Sequence, residues 1–168
     1  MKIINFTPRL YQETILDTSK KYNTLVVLPT GLGKTNISLL LAAHRLTNYP
    51  TSKILLLAPT KPLASQHLTT FQKYLNIKKD KLVLFTGSVA PKKRQELWRK
   101  AKCIFSTPQA ISNDIINDRI KLEEISALIF DECHRAVGNY DYVWIAKQYQ
   151  KKSHFPRILG LTASPGSD

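Results

Sequence analysis

Long apolar runs are missing from this chain, and that absence removes several protein classes at once. No stretch approaches the ~18 apolar residues needed to span a bilayer, so no membrane partner is expected. The opening Met1-Lys2-Ile3-Ile4-Asn5-Phe6 has neither the apolar core nor the small-residue cleavage site of a secretory leader. Cysteine is scarce. Only Cys103 and Cys133 occur, and neither has a second Cys or His at zinc-ligand spacing. Two reduced thiols in a reducing compartment is the simplest reading. Acids are few as well, 12 against 25 Lys and Arg, which leaves a formal charge of +13 on 168 residues. Such an excess favours polyanionic partners, because cations that meet phosphates release condensed counterions. It is concentrated in Lys92, Lys93, Arg94, Arg99, Lys100 and Lys102, with Glu96 the single acid among them. A solvated basic face is the plain alternative.

What is present is an alternation of short β-branched or Leu-rich runs with longer amphipathic stretches. Strands are expected at Thr24–Leu28, Ile54–Ala58, Leu82–Thr86, Cys103–Ser106, Ala127–Asp131 and Ile158–Thr162. Each is a nearly continuous apolar run, the pattern of strands buried on both faces of a parallel sheet. Helices are expected between them, at Thr35–Thr47, Lys61–Tyr74, Lys92–Lys100, Gln109–Asn117 and Tyr142–Gln150. Pro62, Pro91 and Pro108 sit near helix starts, where a missing amide proton costs little, with Ser88 a candidate cap before Pro91. Repeated βαβ units predict a doubly wound α/β fold, a mostly parallel sheet with helices on both faces. The length suits one domain, and no repeat, low-complexity tract or internal linker divides it.

Three motifs carry chemistry. Leu28-Pro29-Thr30-Gly31-Leu32-Gly33-Lys34-Thr35 lies between an expected strand and an expected helix. A phosphate-binding loop needs inward-pointing amides, a cation for the β and γ phosphates and a hydroxyl for magnesium. Gly31 and Gly33 allow the tight backbone, Lys34 supplies the charge and Thr35 the hydroxyl. Leu28 replaces the first glycine of the general pattern. Asp131-Glu132-Cys133-His134 follows a buried strand, at the end of the sheet where ligands of open α/β folds bind. Asp131 can hold magnesium, and Glu132 can orient and deprotonate a water. Thr162-Ala163-Ser164 closes the last strand, and its two hydroxyls suit a link between nucleotide state and a neighbouring acid or His.

Together these motifs resemble a superfamily 2 helicase, in its first RecA-like domain. The resemblance covers nearly the whole chain and implies an enzyme that uses ATP and Mg2+. It also implies roles for further residues. Arg9-Leu10-Tyr11-Gln12 resembles the adenine-reading motif, with Gln12 on the adenine edge and Arg9 assisting. The run from Ala58 through Pro59, Thr60 and Lys61 to Gln66 and His67 resembles the strand-exit motif that grips a nucleic-acid backbone. Thr86-Gly87 and Thr107-Pro108-Gln109 resemble two later backbone-gripping motifs. His134, Thr162 and Ser164 would couple nucleotide state to movement. The run from Asp131 to Tyr140, with Tyr142 after it, is similar to the archaeal Hef and Fanconi-anaemia group, which acts on forked and branched DNA in repair and replication restart.

The expectation is therefore residues 1–168 as RecA-like domain 1 of a DNA motor, lacking the second RecA-like domain that brings the arginine fingers. It would be cytoplasmic in a prokaryote or archaeon and nuclear in a eukaryote. An RNA-directed motor or double-stranded RNA sensor of the same superfamily shares much of the pattern. A nucleic-acid-binding module with a vestigial nucleotide site is the non-enzyme alternative; it would be free to lose Lys34, Thr35, Asp131 and Glu132, all of which are kept. A small GTPase or metabolic kinase explains neither the acidic box nor the basic surface.

Overall fold

Near-continuous apolar runs need cover on both faces, and the chain supplies it by laying helices over the two faces of a single sheet. The computed structural model describes residues 3, 6–29, 33–133 and 140–163. In chain order these form α1 (Leu10–Lys21), β1 (Thr24–Leu28), α2 (Lys34–Asn48), β2 (Lys53–Leu57), α3 (Lys61–Tyr74), β3 (Leu82–Phe85), α4 (Pro91–Lys100), β4 (Cys103–Ser106), α5 (Pro108–Ile116), β5 (Ile125–Phe130), α6 (Tyr140–Lys152) and β6 (Ile158–Ala163). The strands lie in the order β1-β6-β5-β2-β4-β3, and every described pairing is parallel. The "mostly parallel" expectation is thus met in full.

The side-chain alternation of β2 shows how the layers divide. Ile54 and Leu56 join Leu39, Leu41, Ala64 and Phe71 beneath α2 and α3. Leu55 and Leu57 join Trp98, Ile111 and Ile145 beneath α4, α5 and α6. All five β2 residues are buried, as expected of a central parallel strand. At the sheet edge, β1 turns only Val26 fully inward, while Leu25 and Val27 stay 63% and 45% exposed. Among the described residues no helix is long and apolar enough to cross a membrane.

Two local expectations need correcting. Helix α1 was not anticipated, because LYQETILDTSKK is polar and its Thr14 and Ser19 hydroxyls bond back to the carbonyls of Leu10 and Ile15. Its stability comes from packing: Ile15 and Leu16 lie against the core, and the helix docks on α2. Ser88 does not cap α4. Ala90 occupies that position, and Ser88 Oγ is hydrogen-bonded to Thr86 Oγ1 at 2.8 Å. Elsewhere β2 and β5 begin one or two residues earlier than expected, at Lys53 and Ile125. Lys53 is buried, and its ammonium donates to the carbonyls of Trp98 and Ala101 at 2.7 Å each, at the C-terminal end of α4.

Candidate functional site

Winding a parallel sheet places every βα turn at one edge, so the carboxyl strand ends gather the motifs. The strand order then divides them. Gly33, Lys34, Asp131 and Glu132 follow β1 and β5, with Thr162 at the end of β6 beside them. Pro59, Thr60, Lys61, Thr86, Gly87, Thr107 and Gln109 follow β2, β3 and β4 on the other half of the same edge.

On the first half, a cleft of about 270 Å³ is lined by Phe6, Thr7, Arg9, Tyr11, Gln12, Gly33 and Asn36. Gln12 is buried, and its Oε1 accepts the Arg9 backbone N–H at 2.9 Å, which folds the first turn of α1 around the amide. Gly33 caps α2 with φ +76°, and a Cβ there would stand 2.7 Å from Gln12 Nε2. Only glycine meets both demands. Lys34 and Thr35 are the first residues of α2, at the end where the helix dipole and unpaired amides favour an anion.

Across from them, Asp131 is buried and held by two donors. His67 Nε2 lies 2.8 Å from Asp131 Oδ2, and the Glu132 backbone N–H donates to Oδ1 at 2.9 Å. An ionised carboxylate only accepts, so the shared His67 proton is on Nε2. Burial alone would push the Asp131 carboxyl up. The hydrogen bond and charge of His67, the Glu132 amide and the nearby Lys34 ammonium outweigh it, and the carboxyl ends below its ordinary range. Glu132 has φ +50°, a left-handed conformation that costs a non-glycine residue about 1–3 kcal/mol. The buried Tyr142 fixes this turn from α6, its hydroxyl donating to the Asp131 carbonyl at 3.1 Å.

These groups fit a hard cation. Among the described residues each Asp131 carboxylate oxygen accepts one hydrogen bond, and a carboxylate oxygen has two lone pairs to offer. An ionised carboxylate and the Thr35 hydroxyl are the oxygen donors that magnesium takes alongside phosphate and water.

On the second half, Thr60 and Thr107 are the N-cap residues of α3 and α5. Thr60 accepts from the Leu63 amide at 3.4 Å, and Thr60, Lys61, Gly87 and Gln109 are exposed. Thr86 departs from its expected contact role. It is buried, its hydroxyl is engaged by Ser88, and only the chain beyond it reaches the surface. The basic cluster is also smaller than its sequence suggests. Arg94 is buried, with Nε and Nη2 donating to Asp114 at 2.7 and 2.8 Å and Nη1 reaching the Thr86 and Val89 carbonyls. Arg119 Nε adds a further bond to Asp114 at 2.7 Å. Arg94 therefore shapes the Thr86–Val89 turn instead of meeting solvent. Lys102 likewise donates to the Pro50 carbonyl, which leaves Lys92, Lys93, Arg99 and Lys100 as the exposed cations of the cluster.

Thr30, Gly31, Leu32, His134 and Ser164 lie outside the described residues. Three participants were not given their roles by sequence reasoning: Asn36 in the cleft, Tyr142 behind the acidic turn, and His67 on Asp131. The signal for His67 was a polar residue three after Ala64 and four before Phe71, on the buried stripe of α3. Its partner, 64 residues away, left no local trace.

Known proteins similar to this chain are helicases. Over 160 residues the chain is 49% identical to a Methanocaldococcus jannaschii protein that carries the name ATP-dependent RNA helicase MJ1505, covering 95% of this chain and 20% of that one. It is 37% identical over 166 residues to the DEAD-box ATP-dependent DNA helicase Fancm of Drosophila melanogaster, covering 96% of this chain and 11% of that one. Among solved structures it is similar to the Pyrococcus furiosus Hef helicase domain, with a TM-score of 0.90 and 51% identity over 96% of this chain and 34% of that one. The RecA-like α/β fold expected from the motifs is the fold observed. The chain thus spans a fifth or less of the two curated relatives and about a third of the Pyrococcus chain. Residues 9–168 match the DEAD/DEAH box helicases as a family, and the chain belongs to it.

Proposed function

We propose that residues 1–168 are the ATP-binding half of an ATP-dependent DNA helicase or translocase that works on forked or branched DNA. The observation that carries this reading is the division of one sheet edge into a phosphate-type cradle around Lys34 and Asp131 and, next to it, a row of exposed helix starts and loops.

In this reading Gln12 and Arg9 hold the adenine end of ATP in the cleft beside Gly33. Backbone amides of Thr30, Gly31, Leu32 and Gly33 cradle the phosphates, with Lys34 on the β and γ groups. Thr35 and Asp131 would hold Mg2+, which when bound would supply positive charge to the phosphates. Glu132 sits at a strained turn next to Asp131, and it orients and deprotonates the attacking water. His134, Thr162 and Ser164 couple the outcome to movement.

Pro59, Thr60, Lys61, Gly87, Thr107 and Gln109 meet a nucleic-acid backbone through side chains and helix-start amides, with the buried Thr86 setting the turn before Gly87. Such contacts position without reading bases, so binding should be weak, indifferent to sequence and steeply reduced by salt. The relatives' names support DNA in the Drosophila protein and RNA in the Methanocaldococcus protein, so an RNA-directed motor is the second reading. A second RecA-like domain of the same polypeptide completes the site with an arginine finger, worth about 10³–10⁵ in rate. The fraction of the Pyrococcus chain that is matched leaves room for it. Action on DNA places the protein in the cytoplasm of a prokaryote or archaeon, or in a eukaryotic nucleus.

The test is turnover by the intact protein. Lys34→Ala should abolish ATP hydrolysis while leaving nucleic-acid binding and thermal unfolding close to wild type. Forked DNA should stimulate the wild-type rate more than double-stranded RNA does. Near-normal hydrolysis by Lys34→Ala would refute the site, and the opposite order of stimulation would favour the RNA reading.

A further inference from the structure

We propose that His67 is the positioning residue of Asp131, and that through it the state of the nucleic-acid-facing end of α3 reaches the metal-holding carboxylate. This inference rests on the reading of Asp131 and of Thr60-Lys61 given above.

The Asp131 carboxylate is fixed by two donors of different origin. The Glu132 amide is local and moves with the same turn, whereas His67 belongs to α3 and approaches Oδ2 from a separate element. Among the described residues, His67 is the hydrogen-bond donor that reaches the carboxylate from outside the turn. The histidine is also unusual for a core position. It lies on a buried stripe with Ala64 and Phe71, both 0% exposed, where an aliphatic residue would pack without needing a partner. It is itself 5% exposed, and its buried Nδ1 has no hydrogen-bond partner among the described residues. A histidine retained only for stability would be expected to satisfy both ring nitrogens. Among the described residues this one leaves Nδ1 without a partner while placing Nε2 on the box carboxylate.

The same helix begins at the surface. Thr60 caps α3 and Lys61 opens it, both exposed, and His67 follows Thr60 by seven residues, about 10 Å along a stiff helix. A contact at 2.8 Å is lost as a hydrogen bond beyond about 3.5 Å, so a displacement of α3 by about 0.7 Å along that contact is enough to release Asp131. Nucleic acid seated on Thr60-Lys61 biases that position. Asp131 in turn biases the grip at the other end of the helix, since coupling between two sites is reciprocal.

The experiment compares His67→Ala and His67→Gln in the intact protein, the glutamine keeping an N–H donor of similar reach. The readouts are thermal unfolding, the gain in fluorescent-ATP affinity on adding Mg2+, kcat for DNA stimulation, and the change in DNA affinity on adding Mg-ATP. In His67→Ala the Mg2+-dependent gain should fall about 10-fold or more, as when a partner behind a metal ligand is removed. DNA-stimulated kcat should fall with it, and the change in DNA affinity on adding Mg-ATP should shrink by a similar factor. His67→Gln should restore most of each. A lowered melting temperature with an unchanged Mg2+ gain and unchanged stimulation would reduce His67 to a core residue and overturn the proposal. Equal losses in both variants would overturn it too. Lys34→Ala measured alongside separates the failures: if it still turns over ATP the site itself is misread, and if it does not while His67→Ala is neutral, only this inference falls.

Discussion

Two buried carboxylates, Asp114 and Asp131, follow opposite designs within one small domain. Asp114 is 0% exposed and accepts three side-chain hydrogen bonds, two from Arg94 and one from Arg119. The three groups lock α4 to α5 and the chain after it. Asp131 is 7% exposed and, among the described residues, accepts two hydrogen bonds, from His67 and the Glu132 amide, with the Lys34 charge close enough to act on it. Burying a charge is costly unless it is paired, and each site meets that cost differently. Asp114 meets it with two guanidinium groups held against it. Asp131 meets it with a single histidine, one amide and a lysine that stands off, a looser arrangement with capacity left for another cation. The difference separates a charge that holds the fold from one that, in the proposed reading, is kept ready for chemistry.

The largest expected effect breaks the first member of the pair. Asp114→Ala strands Arg94 and Arg119 without a counter-charge, and should cost about 3–5 kcal/mol in a denaturant titration. Asp131→Asn keeps one acceptor oxygen for the two donors and should cost less, about 1–3 kcal/mol, yet it should remove the Mg2+-dependent part of nucleotide affinity. If the two stability losses came out equal, the contrast between the sites would collapse.

A smaller effect sharpens the comparison within each site. Arg119→Ala leaves Arg94 on Asp114, so the loss should be only about 1.5–3 kcal/mol, with ATP binding unaffected. Glu132→Gln should leave stability and Mg-ATP binding close to wild type and stop hydrolysis, because an amide cannot accept the water's proton. Single-turnover measurements that showed weakened Mg-ATP binding in Glu132→Gln and normal binding in Asp131→Asn would exchange the roles of the two acids.

The smallest effect is in pH. The folded Asp131 carboxyl lies below its ordinary value of 3.8, so the folded state holds its proton less tightly than the unfolded chain. Its contribution to stability is then complete above that value and is lost as pH falls through the lower folded value. Thermal unfolding between neutral pH and the carboxylate range should show Asp131→Asn losing part of the acid-side fall in stability. An acid limb identical to wild type would mean that His67 and Lys34 do not hold the charge as described.

Much of this was written locally. Apolar runs of strand length between amphipathic stretches set the parallel sheet, since strands covered on both faces have no polar side to show. The glycine at position 33, the lysine after it and the acids after β5 identify the chemistry because each acts through its own residue type at a fixed spacing. Tertiary structure decided what depends on partners distant in sequence. Helix α1 is stable because α2 offers it a surface, and its own residues give little sign of that. Arg94 reads as one more cation in a basic run until α5 brings Asp114 to it, 20 residues on. His67 reads as a polar interruption of a helix until β2 and β5, side by side in the sheet, bring α3 to the acidic turn. Residue type and periodicity act over a few positions of chain and are legible there, whereas a buried charge finds its partner only when the sheet order sets which elements become neighbours.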